Sequence, residues 1–268
     1  KIGQGDSVLV PSRTFVASVQ VIKQVGAVPI FYDVDGTWFD DVRIKAIIHV
    51  HIEGAFDSKF DYWLDLARQN NWYVIEDAAQ SFGATWNGKK AGSLGNVGCF
   101  SFYPAKTLGG PGDGGAIVTD DEEIYKYVKD CRNHFKDDAR DWGVNSRLDN
   151  VWAAELNIKI KRYDSSLARR KEIAEVYLRE LKGVELPPNT EGRIWQDFII
   201  RTSRRDELFD YLKEQGIETM KNNYPFPVPK LPLAQRYEDE TLRLPCNELL
   251  TDDEVKEVIK SIHEFYTK

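Results

Sequence analysis

Short apolar runs bounded by turn residues recur through the first half of the chain: Val8–Val10, Ala27–Tyr32 and Lys45–Val50 each read as a strand buried on both faces. Between the first two, Phe15–Gly26 carries apolar residues at helical spacing and closes on a glycine. The alternation continues where the amphipathic stretch Tyr62–Asn70 leads into a strand over Trp72–Ile75 and the acidic pair Glu76 and Asp77. Strand and helix in turn predict a doubly wound, mostly parallel α/β sheet covered by helices, with ligands beyond the carboxyl ends of its strands. Farther on, Ala116–Thr119 predicts a strand and Asp121–Cys131 a helix with an acidic first turn. A long helical pattern over 148–182 is broken near Tyr163 and Asp164.

Past Pro187 and Pro188 the pattern changes to a strand (WQDFIIRT), a helix ending at Gly216, a proline-rich loop from Asn222, and a helix over Thr251–Phe265 opened by the capping pair Thr251 and Glu254. Two units follow: a large domain over 1–162 and a smaller C-terminal α+β domain over 163–268. The opening KIGQGDSVLVPS enters a strand almost at once, so the large domain is expected to begin before Lys1.

Charge narrows the partners. With 36 basic against 43 acidic side chains in 268 residues, the net charge is -7, and no basic stripe for a nucleic acid is indicated. Cys99, Cys131 and Cys246 are odd in number and widely spaced, which fits neither a disulfide framework nor a zinc site and points to a reducing cytosol. No apolar run has the length of a membrane span and no signal peptide is visible, so a cytoplasmic protein is expected.

Candidate chemistry sits at two places. The strand WYVIEDAAQ delivers Asp77 to the carboxyl end of the sheet, with Gln80 three residues later. From position alone this carboxylate could hold a metal, act as a base, pair with a cationic heterocycle or cap a following helix. The ligand set around it is thin, and His49 and His51 have no further His or Cys close in sequence, so no metal site is expected. The second place is SFYPAKTLGGPGDGGAIVT, where Lys106 stands between an aromatic run and a loop with five glycines. A lysine amine that burial or a neighbouring cation has made easier to deprotonate attacks carbonyls to form a Schiff base. Pyridoxal phosphate needs such a lysine, an acid against its pyridinium nitrogen and hydroxyl groups for its phosphate, and Lys106, Asp77 and Ser101 are of those kinds. The bland alternatives are a solvated charge for Lys106, plain core for Phe15, a helix cap for Asn145, and a tight loop and hairpin turn for the glycines.

The block IEDAAQSFGATWNGKKAGSLGNVGCFSFYPAKTLGGPGDGGAIVTDDEE, with PSRTFVAS upstream and NSRLDNVWAAEL downstream, resembles the DegT/DnrJ/EryC1/StrS sugar aminotransferases. The resemblance implies the type I aspartate-aminotransferase fold, a homodimer with shared active sites, pyridoxal 5'-phosphate as cofactor with pyridoxamine phosphate as its amino-carrying form, glutamate as donor, and a keto-sugar acceptor, most often linked to a nucleotide. Position by position it implies that Lys106 bonds the cofactor and shuttles protons, that Asp77 pairs with the pyridine nitrogen, and that Gln80 lies beside the phenolic oxygen. Ser101 would hold phosphate, Phe15 would stack on the ring, and Asn145 would reach a phosphate from the partner subunit. Lys106 argues against the family's dehydratase branch, in which a histidine stands there. Tyr103 and the loop Asn222–Lys230 are expected to help choose the sugar. The phosphate-binding helix start of the family is expected among residues preceding Lys1, and the connection after Asp33–Asp35 and the loops around 134–143 and 222–231 read as short. The alternatives are a non-catalytic regulatory or dimerisation protein of the same fold and, more weakly, a nucleotide-binding protein; GGPGDGG matches neither phosphate-loop fingerprint and leads into a strand.

Overall fold

The computed structural model describes every residue except 38–42, 138, 140, 222–230 and 268. In chain order the elements are β1 (Ser7–Pro11), α1 (Val16–Gln24), β2 (Val28–Tyr32), β3 (Ile44–Val50), α2 (Phe60–Asn70), β4 (Tyr73–Asp77), the short hairpin β5 (Thr85–Trp86) and β6 (Lys89–Lys90), β7 (Val97–Ser101), β8 (Gly115–Val118), α3 (Glu122–Cys131), α4 (Asn150–Lys159) and α5 (Tyr163–Glu180). They are followed by β9 (Phe198–Arg201), α6 (Arg205–Glu214), β10 (Met220–Lys221), α7 (Pro232–Glu240), β11 (Thr241–Leu244) and α8 (Asp252–Thr267). The main sheet has the order β2-β1-β3-β4-β7-β8. Its first five strands run parallel, and β8 returns antiparallel to β7.

Side-chain alternation explains the two covered faces. Leu9 and Ile47 point to one side, where Trp63 and Ala67 of α2 cover them. Val8, Val10, Ala46 and Ile48 point to the other, under Val19 and Ile22 of α1. Each of these large apolar side chains contributes about 1.5–3 kcal/mol by leaving water, which is why β1 and β3 read as near-continuous apolar runs. The remaining core packs Ile173 and Tyr177 of α5, Leu208 and Leu212 of α6 and Ile262 of α8 against the small antiparallel sheet β10-β11-β9. Among the described residues no helix is long and apolar enough to cross a membrane.

The two cores meet at consecutive residues. Ile194 is buried with Phe56, Phe60, Ala78 and Ala84 of the large sheet's end, whereas Trp195 belongs to the second core and stacks on Phe198 with ring centroids 5.3 Å apart. Gly54, after β3, makes this junction possible: its φ is +80°, and a Cβ there would lie 2.7 Å from Ile194 Cγ1 and 2.9 Å from the Gln196 amide nitrogen. Gly54→Ala is therefore expected to destabilise by about 1–3 kcal/mol, through both overpacking and the left-handed backbone. Urea unfolding would read this as a lower midpoint at unchanged slope; a midpoint equal to the parent's would rule out so tight a junction.

The structure agrees with the sequence reading at one place and departs from it at others. The helical pattern over 148–182 is two helices, α4 and α5, joined by a 3-10 turn at Ile160–Arg162, just before the expected break. α7 begins at Pro232, at the end of the stretch read as a proline-rich loop, because proline suits a helix's first turn. β7 and β11 were not anticipated. The loop Asn222–Lys230 lies outside the described residues.

Candidate active site

β4 ends at Asp77 between β3 and β7, and the strand ladder fixes its backbone: its carbonyl accepts from the His51 amide at 3.0 Å, and the next amide, of Ala78, donates to the Cys99 carbonyl at 2.9 Å. The carboxylate is aimed by two donors. Ser18 Oγ, in the first turn of α1, donates to Oδ2 at 2.6 Å, and the Ala79 amide donates to Oδ1 at 3.2 Å. Turns follow Asp77, so it caps no helix. Thr14 Oγ1 lies 2.9 Å from Ser18 Oγ and extends the chain of hydroxyls. Phe15 occupies the residue before α1, three positions from Ser18, and is 55% exposed. Beside Asp77, on the neighbouring strand β7, burial pushes the Cys99 thiol to about 11, with Asp77 and Glu76 adding to the effect, so this thiol is inert near neutral pH.

Lys106 lies in the connection between β7 and β8. The loop is pinned by the Phe102 amide donating to Gly114 O at 2.7 Å, the Gly110 amide donating to Phe102 O at 2.8 Å, and the Lys106 amide donating to Tyr103 O at 2.9 Å. Gly109 is required by this turn, since a Cβ would come within 2.4 Å of the Pro104 carbonyl oxygen. The Tyr163 hydroxyl donates to Phe82 O at 2.6 Å and pairs with the Thr107 hydroxyl at 2.7 Å. Burial pushes the Lys106 amine below its ordinary value; Asp77 and Asp197 pull it back up, and Arg243 adds to the depression. The two residues singled out in sequence, Lys106 and Asp77, thus act on each other electrostatically at one end of the sheet.

Ser101 closes β7 beside them, its Oγ accepting the Tyr103 amide at 3.2 Å. Gln80 Oε1 accepts the Glu53 amide at 2.7 Å. Asn145 stands apart, exposed and bridged to Asn133. It does not cap α4, which has Asp149 at that position.

Several participants could not be read from sequence. Glu53 forms ion pairs with Arg13 and with Arg193, the latter at 3.3 Å, and so joins the loops after β1 and β3 to the C-terminal half. Burial alone would raise its carboxyl; the two guanidinium groups outweigh this and hold it below the usual range. Asp197, paired with Arg243 at 3.2 Å, is pushed up by burial, and the cations Arg243 and Lys106 oppose that rise. Both line a cavity of about 560 Å³ that reaches Ala105 and Gln196 beside the lysine. The one local signal was the pair of hydroxyls at Thr14 and Ser18, four apart at a helix start.

The arrangement fits pyridoxal phosphate on its own geometry: a partly buried amine that burial makes easier to deprotonate, a carboxylate oriented by two donors, an aromatic residue at the start of α1 and a hydroxyl at the neighbouring strand end. Comparison with known proteins agrees. The model of the DegT/DnrJ/EryC1/StrS aminotransferase family matches residues 1–263. A dTDP-3-amino-3,6-dideoxy-alpha-D-galactopyranose transaminase of Aneurinibacillus thermoaerophilus is 37% identical over 98% of this chain and 80% of its own. A pleiotropic regulatory protein of Geobacillus stearothermophilus is 35% identical over 99% and 80%. The crystal structure of S. venezuelae DesV in complex with a ketimine intermediate superposes with a TM-score of 0.91 at 34% identity, covering 100% of this chain and 80% of that one.

Proposed function

Because the chain belongs to the DegT/DnrJ/EryC1/StrS aminotransferase family, we propose that it uses pyridoxal phosphate to move an amino group from glutamate to a keto-sugar carried on a nucleotide. What carries this reading is a half-buried Lys106, its amine lowered by burial and within electrostatic reach of the Asp77 carboxylate that Ser18 and the Ala79 amide orient. When bound, the cofactor supplies an aldehyde for the amino group and an electron-withdrawing ring.

The chain's own residues supply the rest. Asp77, held by Ser18 and the Ala79 amide, keeps a proton on a ring nitrogen opposite it. Lys106, more often unprotonated than an ordinary lysine, bonds to a carbonyl carbon and, when displaced from it, carries a proton to and from the amine-bearing carbon. Gln80, its Oε1 occupied by the Glu53 amide, keeps its N–H groups for a phenolic oxygen. Phe15 offers a stacking face, and the Ser101 hydroxyl a phosphate contact. Asn145 would complete the site of a second copy. In support, exposed apolar side chains occur at Trp142, which is 95% exposed, at Val144, and at Val151, Ile158 and Ile160 on or next to α4, and a homodimer would give them a place to be buried. The division at 162/163 belongs to the same reading, supported by the two cores, and a cytoplasmic setting fits the three free thiols. Tyr103, exposed and three residues before Lys106, belongs to the same reading as a residue that helps choose the sugar.

Purified protein mixed with pyridoxal phosphate is expected to develop the visible absorption of lysine-bound cofactor, and glutamate is expected to bleach it. A folded protein that gives no such band would overturn the enzyme reading in favour of a regulatory protein of the same fold, the role in the name of one relative. A band that other amino acids bleach and glutamate does not would replace the donor alone.

A further inference from the structure

We propose that Gln196 is a positioning residue for Lys106: one side-chain amide holds the peptide groups on both sides of the lysine and fixes the direction in which its Nζ leaves the loop. This rests on the role given to Lys106 above. Gln196 Nε2 donates to Ala105 O at 3.0 Å, and Gln196 Oε1 accepts from the Thr107 amide at 3.0 Å. The residues gripped are the two neighbours of Lys106, so the side chain does what a partner strand would do for a residue that has none. Few side chains can: glutamate offers two acceptors and no donor, asparagine is one methylene shorter, and histidine cannot present donor and acceptor in parallel.

The clamp comes from another part of the chain and is itself immobilised. Gln196 is 9% exposed, in the segment that leads into β9. Arg170 of α5 donates from Nη1 to the carbonyls of Cys246 at 2.8 Å, Trp195 at 3.4 Å and Gln196 at 3.5 Å. The Ile194 amide donates to Gly54 O at 3.0 Å. Trp195, between them, takes φ +53°, a left-handed conformation costly for a bulky residue, and is sandwiched between the Arg193 guanidinium and Phe198. Backbone strain held by its surroundings, directly beside a side chain that reaches a reactive residue, is the pattern of a positioned functional segment rather than of loose packing. The alignment of the C-terminal half is thereby transmitted to the lysine through one amide.

The test reads the lysine without cofactor or turnover. The full chain, freed of cofactor, is treated with formaldehyde and cyanoborohydride across a pH series, and methylation of the Lys106 peptide is followed by mass spectrometry. The groups that set the wild-type midpoint are Asp77 on β4, Asp197 before β9 and Arg243 on β11, besides burial. Wild type is expected to titrate below an ordinary lysine. In Gln196→Ala the released loop lets the amine reach water, moving the midpoint up and leaving about tenfold less free amine at neutral pH. Gln196→Glu keeps the size and the bond from the Thr107 amide but loses the donor to Ala105, and is expected to move the midpoint the same way. In the cofactor-loaded protein both variants should lose kcat with the donor KM nearly unchanged. A wild-type midpoint in folded Gln196→Ala, or loss of fold in both variants, would overturn the proposal. Absence of the cofactor band in wild type would instead fault the enzyme reading, while the labelling still reports on the clamp.

Discussion

Lys106→Ala is expected to lower amine transfer by at least about 10⁴-fold, because in the proposed function one side chain is both the covalent attachment and the proton carrier. Lys106→Arg should be equally inactive: it keeps a cation in place but cannot give up its proton at working pH. Stability should move the other way. Burial, the largest influence on Lys106, disfavours its charged form, so the unfolded chain binds this proton more tightly than the folded one. The lysine therefore weakens the fold near neutral pH, and stability recovers as pH rises through the folded value towards the ordinary 10.5. Lys106→Ala should unfold at the same temperature as wild type or slightly above it, and lack that alkaline recovery. Inactivity accompanied by a large drop in melting temperature would mean that the residue is structural, and the assigned chemistry would fall with it.

The largest loss of stability is expected from a residue with no direct part in the chemistry. Glu76, one residue before Asp77, is buried, and its carboxylate accepts from His51 Nε2 at 2.8 Å and from the amides of Gly92, Leu94 and Gly95 at 2.9, 2.6 and 2.6 Å. Burial pushes its carboxyl up; His51 and the amides outweigh this and bring it below the ordinary 4.5. Glu76→Ala strands four donors in the interior and is expected to cost about 3–5 kcal/mol, a large part of what holds a domain folded. Glu76→Gln should cost less, since its oxygen still accepts. Because the folded value is lowered, the contribution is present above 4.5 and lost as pH falls through the folded value, so Glu76→Gln should flatten the acid limb of the stability curve. Unfolding in denaturant at pH 7 and pH 4 measures both effects; a cost under about 1 kcal/mol for the alanine variant, the range of an exposed polar contact, would refute the role.

What the sequence disclosed follows from how local each signal is. β1, β3 and β4 were legible because a strand buried on both faces needs consecutive apolar residues. β7 was not: Gly98 lies where a Cβ would come within 2.4 Å of the Gly92 backbone, so close packing there replaces side chains with glycine and erases the apolar run. β11 is four residues long with Arg243 at its third position, a cation paired with Asp197 at the cavity wall. At the site, Lys106 and Asp77 stood out by their neighbours in sequence and by resemblance. Glu53, Gln196 and Asp197 did not, because their partners are remote: Arg193 is 140 positions from Glu53, and Ala105 is 91 from Gln196. A local pattern carries no trace of such a pairing.

The junction at Ile194 to Gln196 also sets the order in which the molecule can be completed. Phe56, Phe60 and Ala78 are all present once residue 78 has been joined, yet their cluster lacks Ile194 until residue 194 has been joined. The grip on Ala105 and Thr107 waits for residue 196. The α7 amides of Leu233 and Ala234 meet the Asp33 carboxylate, at 2.9 and 2.8 Å, later still. On a ribosome adding about 5–20 residues per second, the end of the sheet that carries Asp77 and Lys106 therefore stays open for several seconds after its strands have emerged. Lys106 acquires its final surroundings long after the parallel strands that support it.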